Sequence, residues 1–413
     1  MKDENNTQGI TIKVKLIIED KADEAKFSRT MEQFRQACNF VSQYIFENGF
    51  VLNQFKVREV LYRHIRESFG LKSQMADSAI RCTIARYKTV KEQMRQNPYR
   101  IWDESTKKQY TFSRDLSWLQ KPIHFRRPQV DLARNRDWSK RADGTLSINT
   151  LDGRVIAKPI CRGFDQYFDG KWKFGGAKLL RGKGCWMLHI GATKEIETFD
   201  ASRPKHIVGI DRGLRFLAVT HDENGKCQFF SGKEIQRKRD AFARTRQRLQ
   251  RKGTWSAKRA LRRIEHRENR WMTDVNHQLS KTLVQTYGAG TLFVIEDLAG
   301  VSFEDSNLAR RTRNGRRQLR SWAFYQLEMF LNYKARLADS EVLKVSAKYT
   351  SQRCPKCGAI HKENRKHSRH EYVCDCGYRA NDDLTAARNI YHLGELYVQG
   401  VEKPRFEKLK TVA

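Results

Sequence analysis

Apolar and polar residues alternate from Ile10 through Ile12, Val14 and Leu16 to Ile18, the two-residue period of a strand with one face buried. The period then lengthens. Phe27, Met31, Phe34, Cys38, Val41 and Ile45 recur every three or four positions up to Gly49, which predicts an amphipathic helix ended by glycine. Val57, Leu61, Ile65 and Phe69 form a second stripe of this kind, and Ile80, Ile84, Tyr87, Val90 and Met94 a third that stops before Asn97-Pro98. Residues 21 to 96 therefore read as a helical bundle.

From about 120 to 200 the texture turns to short β-rich runs. LSINT, the turn pair Asp152-Gly153 and RVIA are followed by Lys171 to Leu180 and Cys185 to Ile190, separated by RGKG. These predict a small antiparallel barrel or sheet. The opening strand lacks a local partner, so it is expected to join this sheet, with the helical block inserted between them. Beyond His206 the order strand, strand, long helix, strand, helix, strand predicts an α/β domain.

Three acidic residues stand out in this last region, because a carboxylate at the end of an apolar strand must be solvated, paired or metal-bound. HIVGIDRGLRFLAV puts Asp211 at a strand end with Gly213 turning into a second strand. TLFVIEDLAG puts Glu296 at another strand end, and ANDDLTAARNI puts Asp383 in the first turn of a helix. Phosphodiester hydrolysis with two metal ions needs carboxylates converging from separate elements, since hard cations such as Mg²⁺ take oxygen ligands. Taken singly, Asp211 also fits a turn former, Asp383 a helix cap and Glu296 an ordinary strand-end charge.

Charge narrows the partners. The 413 residues hold 80 Lys and Arg against 47 Asp and Glu, a formal +33, far more than solubility requires. With no apolar run of 18 residues, no signal-peptide pattern in MKDENNTQG and no lipidation motif, no membrane partner is expected. A soluble nucleic-acid binder is expected instead, cytoplasmic and nucleoid-associated in a prokaryote. Residues 233 to 270 carry fifteen Lys or Arg and four Asp or Glu. A solvated helix face normally interleaves both signs, so Arg244, Arg248, Arg251, Lys252, Lys258, Arg259, Arg262 and Arg263 are candidate phosphate contacts. A second basic run, Arg310 to Arg320, reads as a mobile loop.

Nine cysteines do not form a disulfide framework. Cys38, Cys82, Cys161, Cys185 and Cys227 are scattered, as packing residues are. Cys354, Cys357, Cys374 and Cys376 instead lie in two knuckles, YTSQRCPKCG and YVCDCGYRA. Four thiolates suit a closed tetrahedral zinc site of structural type, with Gly358 and Gly377 allowing the tight turns. His361, His367 and His370 lie between the knuckles as alternative ligands.

GIDRGLRFLAV, VIEDL and NDDLTAARNI resemble the three RuvC motifs of the transposon-encoded TnpB nucleases and their relatives, the miniature type V-F CRISPR effectors. RKGTWSAKRALRRIEHRENRWMTDVNHQLSK resembles that family's basic helical stretch, and SWAFYQLEMFLNYKA the helix leading into its zinc segment. The likeness is strong over about 205 to 392. WKFGGAKLL and WMLHI are similar to the end of the family's β-barrel, whereas the second knuckle departs from the commoner two-residue spacing.

The resemblance implies an α/β RNase H-like (RuvC) nuclease domain with a zinc-ribbon insertion, preceded by an antiparallel β-barrel carrying an inserted helical bundle. The barrel (wedge) domain would take residues 1–20 and 119–203, and the helical recognition domain 21–118. The nuclease domain would take 204–349 and 379–395, the zinc ribbon 350–378 and a C-terminal tail 396–413. In function it implies an RNA-guided DNA endonuclease in which guide RNA pairs with one strand of a target duplex while the protein holds the displaced strand, as monomer or homodimer. Asp211, Glu296 and Asp383 would be catalytic and bind two Mg²⁺, with Asp297 and Asp382 the lesser candidates, and the four cysteines would bind one Zn²⁺. Two other readings remain: a guided DNA-binding repressor without cleavage, and an unguided RNase H-fold nuclease or transposase. A plain zinc-ribbon binder leaves the three carboxylates unexplained.

Overall fold

The computed structural model describes residues 7–182, 184–264, 266–298, 324–366 and 368–408, and the chain divides into two compact units, Gly9–Glu195 and Ile196–Ala413 with Met1–Gln8. The basic run Arg310 to Arg320 lies outside the described residues. Among the described residues no helix is long and apolar enough to cross a membrane.

In the first unit, strand β1 (Thr7–Ile17) buries Ile12, Val14 and Leu16 and exposes the residues between them. Asp20 caps helix α1 (Lys21–Glu47), accepting from the Ala22 N–H at 2.8 Å, and the stripe from Phe27 to Ile45 is buried. Asn53 caps α2 (Gln54–Phe69), which ends at Gly70 with φ +63°, the left-handed conformation glycine adopts at least cost. Helix α3 (Ser73–Gln96) buries Ile80, Ile84 and Tyr87.

The chain then forms a hairpin, β2 (Tyr99–Asp103) and β3 (Lys108–Phe112), in a stretch beyond Asn97-Pro98 for which the sequence pattern named no element. Strands β4 (Gln129–Leu132), β5 (Trp138–Lys140), β6 (Leu146–Thr150), β7 (Gly153–Ile160), β8 (Lys173–Gly182) and β9 (Cys185–Glu195) join β1 in a seven-stranded sheet ordered β4-β8-β9-β1-β7-β6-β5. Helices and sheet share one core. Phe27 of α1 meets Trp186 of β9 edge-on at 5.3 Å.

The second unit is built on β10 (His206–Asp211), β11 (Phe216–Asp222) and β12 (Cys227–Ser231), followed by α4 (Lys233–Lys252), α5 (Trp255–Ile264) and α6 (Arg267–Tyr287). The single long helix suggested by the sequence is three helices, interrupted at Gly253 (φ +64°) and His266 (φ +59°). Next come β13 (Thr291–Asp297), α7 (Phe324–Leu337), β14 (Glu341–Ser346), the short strands β15 (Arg365–Lys366), β16 (Glu371–Val373) and β17 (Arg379–Asn381), and α8 (Asp382–Val398). The main sheet is ordered β12-β11-β10-β13-β14. Its β12, β11 and β10 are antiparallel, and β13 and β14 run parallel to β10.

Successive strand residues point to opposite faces. Val208, Ile210, Phe293 and Ile295 pack with Leu279 and Leu283 of α6 and Leu327 and Leu331 of α7. Ile207, Leu292, Val294 and Leu343 pack on the other face with Ile390 and Leu393 of α8. Two glycines let α8 sit directly on the strands. A Cβ on Gly209 would stand 2.3 Å from the Ala387 carbonyl oxygen, and one on Gly394 would stand 2.5 Å from Val294 Cγ2.

Candidate active site

Asp211 ends β10, and Glu296 is the last residue but one of β13. The two strands run parallel with Gly209 opposite Val294 and Ile210 opposite Ile295, so the next pair in register is Asp211 and Glu296, on the face covered by α8. Asp383 comes to them from α8. Its neighbour one turn on, Ala387, lies over Gly209, which carries the first turn of α8 to the end of β10. The helix-capping role open to Asp383 belongs to Asn381, whose Oδ1 accepts from the N–H groups of Asp383 at 3.0 Å and Leu384 at 3.2 Å.

The electrostatics record this convergence. Burial, then Glu296 and Asp383, hold the Asp211 carboxyl well above its usual range. Burial also raises Glu296, opposed by a hydrogen bond from Thr350 and by Arg212 and Arg365. Asp383 is raised by burial and by Asp382, and Arg365 opposes the shift. Three acids all raised by burial, with Asp211 raised further by the charges of the other two, make a place suited to positive charge.

The geometry brings in partners that the sequence reading missed. Arg365 of β15 donates through Nε to Asp382 at 2.9 Å and through Nη2 to Asp383 at 3.2 Å. Asp382 is the buried member of the pair, its side chain 2% exposed against 14% for Asp383. Thr350 Oγ1 donates to Glu296 Oε1. Arg212, buried behind the strand ends, donates to the Glu296 carbonyl at 2.6 Å and pairs with Glu328 at 3.3 Å. Fully buried Asn389 of α8 donates to the carbonyls of Thr350 at 2.8 Å and Arg353 at 2.7 Å, tying the helix to the first cysteine knuckle. Asn381 had a sequence signal, an Asn before two acids at a helix start. Arg365 had none.

Cys354, Cys357, Cys374 and Cys376 place their sulfurs within 4.8 Å of one another. The pairs Cys354–Cys376 and Cys357–Cys374 are each 3.6 Å apart. Four thiolates about 2.3 Å from a central zinc stand about 3.8 Å apart, so these donors fit a tetrahedral zinc ion. The single residue between Cys374 and Cys376 does not prevent closure, because Gly377 (φ +83°) turns the chain and donates to the Cys374 carbonyl at 2.9 Å. His361 is exposed and outside the cluster, His370 lies 3.9 Å from Asp382, and His367 is outside the described residues. Among the described residues the four cysteines are the one group of three or more such side chains drawn so tightly; the acidic oxygens are more widely spaced.

The eight candidate phosphate contacts are all exposed, Arg244, Arg248, Arg251 and Lys252 on α4 and Lys258, Arg259, Arg262 and Arg263 on α5. Arg239 and Arg246 turn inward to Glu268 of α6.

Residues 194–301 match the sequence model described as a probable transposase of the OrfB_IS605 type, and residues 324–390 match the Cas12f1-like TNB domain. The chain is 27% identical over 240 residues to the CRISPR-associated endodeoxyribonuclease Cas12f1 of Sulfoacidibacillus thermotolerans, covering 55% of each chain. It is 30% identical over 230 residues to the putative RNA-guided DNA endonuclease InsQ of Escherichia coli K12, covering 51% of this chain and 54% of that one. The TnpB-like protein MJ0751 of Methanocaldococcus jannaschii is 26% identical over 162 residues, 37% of this chain and 57% of that one. Over these two stretches the chain is similar to TnpB and Cas12f1-like proteins. It spans about half the length of the curated relatives it matches. Two solved structures share the fold of this chain. The Cas12f1 chain of a Cas12f1–sgRNA–target DNA complex superposes with a TM-score of 0.59 at 14% identity, over 94% of this chain and 99% of that one. The mini-RNA-guided endonuclease CRISPR-Cas_phi3 gives 0.55 at 10% identity, over 94% and 93%.

Proposed function

We propose that this protein is an RNA-guided DNA endonuclease of the RNase H-like (RuvC) class, with Asp211, Glu296 and Asp383 as its catalytic carboxylates. The observation that carries the reading is the meeting of these three at one end of the sheet, two on adjacent parallel strands and one from the helix that Gly209 admits. The donor set fits divalent metal, since the three side chains are hard oxygen donors and burial, with the charges of Glu296 and Asp383, raises Asp211 toward protonation. Asp211, Glu296 and Asp383 would hold the ions, with their oxygens more widely spaced than the cysteine sulfurs.

When bound, two Mg²⁺ supply Lewis acidity at the scissile phosphate, for the attacking water and the leaving oxygen alike. The chain's own residues do the positioning. Thr350 orients the Glu296 carboxylate, Asn381 orders the first turn carrying Asp383, and Arg365 holds Asp382 out of competition while steadying Asp383. The exposed cations of α4 and α5 hold phosphates without reading bases, so target choice falls to pairing with a guide RNA. Zinc held by the four cysteines would be structural, bracing the segment that supplies Thr350 and Arg365.

RNA copurifying with the protein is sequenced, and a plasmid matching its variable end is offered with Mg²⁺. The wild type is expected to cut it, and Asp211→Ala to bind the same RNA and leave the plasmid intact. Undiminished cutting by Asp211→Ala rejects the assignment, and absence of a defined RNA rejects guidance.

A further inference from the structure

Residues 241 to 264 contain nine Lys or Arg and no acid. Their helices sort these charges by face. In α4, Arg239, Ala243 and Arg246 point inward, and Arg244, Arg248, Arg251 and Lys252 are exposed. In α5, Ala257 is buried and Ala260, Leu261 and Ile264 are half-buried. Lys258, Arg259 and Arg262 occupy the opposite face, spaced three, four and seven residues after Trp255, so all four share one side of the helix. Trp255 is 74% exposed, an indole set among cations on a solvent face.

Its position is built. Gly253 turns the chain in the left-handed region with open space around it, and the Thr254 hydroxyl accepts from the Ala257 N–H at 3.3 Å, so α5 starts at Trp255. Lys258 Nζ lies 4.9 Å from the centroid of the ring. Trp271 of α6 makes the contrast. It packs at 6.1 Å from Phe242 with Lys238 at 4.4 Å over its ring, and is half-buried. Trp271 is explained by packing and Trp255 is not.

We propose that Trp255 is a stacking platform for an unpaired nucleobase, with the flanking phosphates held by Lys258, Arg259, Arg262 and Arg251. Charge fixes the partner as a polyanion, and the ring fixes it as one that carries flat aromatic groups. Inside a duplex both faces of each base are taken by its neighbours, so the ring selects an unpaired base. The site uses none of the three carboxylates, and rests on the proposed function only in that the chain acts on nucleic acid.

The test uses the full chain with oligo-dT, oligo-rU and a blunt DNA duplex, measured by fluorescence anisotropy across a salt series. Trp255→Phe keeps single-strand affinity within about twofold, and Trp255→Ala loses about 5- to 100-fold. The salt slope stays unchanged, because no charge is removed, and duplex affinity holds within about twofold. Whether the loss falls on dT, rU or both identifies the strand. The proposal is overturned if Trp255→Ala binds both single strands like the wild type, if the duplex weakens equally, or if Trp255→Phe fails alongside Ala. Melting curves matching the wild type show that α5 is intact in both variants. Neither guide nor cleavage enters the assay, so failure of the nuclease reading at Asp211→Ala leaves this result standing on its own.

Discussion

Asp211 accepts no hydrogen bond from any described side chain, yet its carboxyl is held well above the usual 3.8 by burial, Glu296 and Asp383. A raised acid binds its proton more tightly in the folded chain than in the unfolded one. Its contribution to metal-free stability is therefore fullest below about pH 4 and is lost as pH rises through the folded value. Asp211→Asn escapes that loss. Without metal, the variant is expected to melt above the wild type at pH 7 to 8, with the difference closing toward pH 4, and a thermal melt series checks it. Arg365 acts in the other direction. Arg365→Ala leaves Asp382 buried without its cation and should cost about 3 kcal/mol in urea unfolding, and adding Asp382→Asn should recover much of it. Asp211 and Glu296 could be picked out as strand-end carboxylates in so basic a chain, and Asp383 as an acid in the first turn of a helix. Arg365 could not be, since one arginine in ENRKHSRH looks like the next and only folding brings it to residues 17 and 18 positions later.

At the scale of elements, α8 positions the site by contact with glycine. Gly209→Ala forces a methyl group against the Ala387 carbonyl, an overpacking of about 1–3 kcal/mol, and should shift Asp383 away from Asp211. Cleavage is expected to fall further than the melting temperature suggests, as paired activity and thermal assays measure. The knuckles act through the same site, since Thr350 and Arg365 lie in or beside them. Zinc removal by a chelator should therefore expose amides of residues 350–381 to hydrogen exchange before the rest of the unit opens.

Elements with one apolar face were easy to read, as β1 and α1 show. The β2–β3 hairpin was not, because nearly all of its residues are exposed and no buried face leaves a period to follow. In α4 to α6 the density of charge hid the breaks at Gly253 and His266. Strand β1 and its place in the later sheet could be seen in the sequence, but which strands flank it could not, for pairing with β7 depends on residues some 140 positions away.

Over the whole molecule, a formal +33 and a solvent-facing array of arginines and lysines on α4 and α5 predict binding dominated by counterion release. Replacing Arg248, Arg259 and Arg262 together by Ala should weaken DNA and RNA alike and flatten the salt dependence by about 2 to 3 in slope, read from affinity against salt. The mixed sheet with helices on both faces supplies a rigid frame in which distant carboxylates meet, and this is why short strand-end motifs carry more of the functional signal than the basic surface does.

The most direct measurement is a Mn²⁺ titration of the purified chain followed by EPR, with Mn²⁺ standing in for Mg²⁺. Two ions per chain with the broadened spectrum of a close pair, both weakened in Asp211→Ala and absent when Glu296 and Asp383 are also replaced, are what the account predicts. Isolated ions at unrelated sites, or a pair that survives in the triple variant, would contradict it.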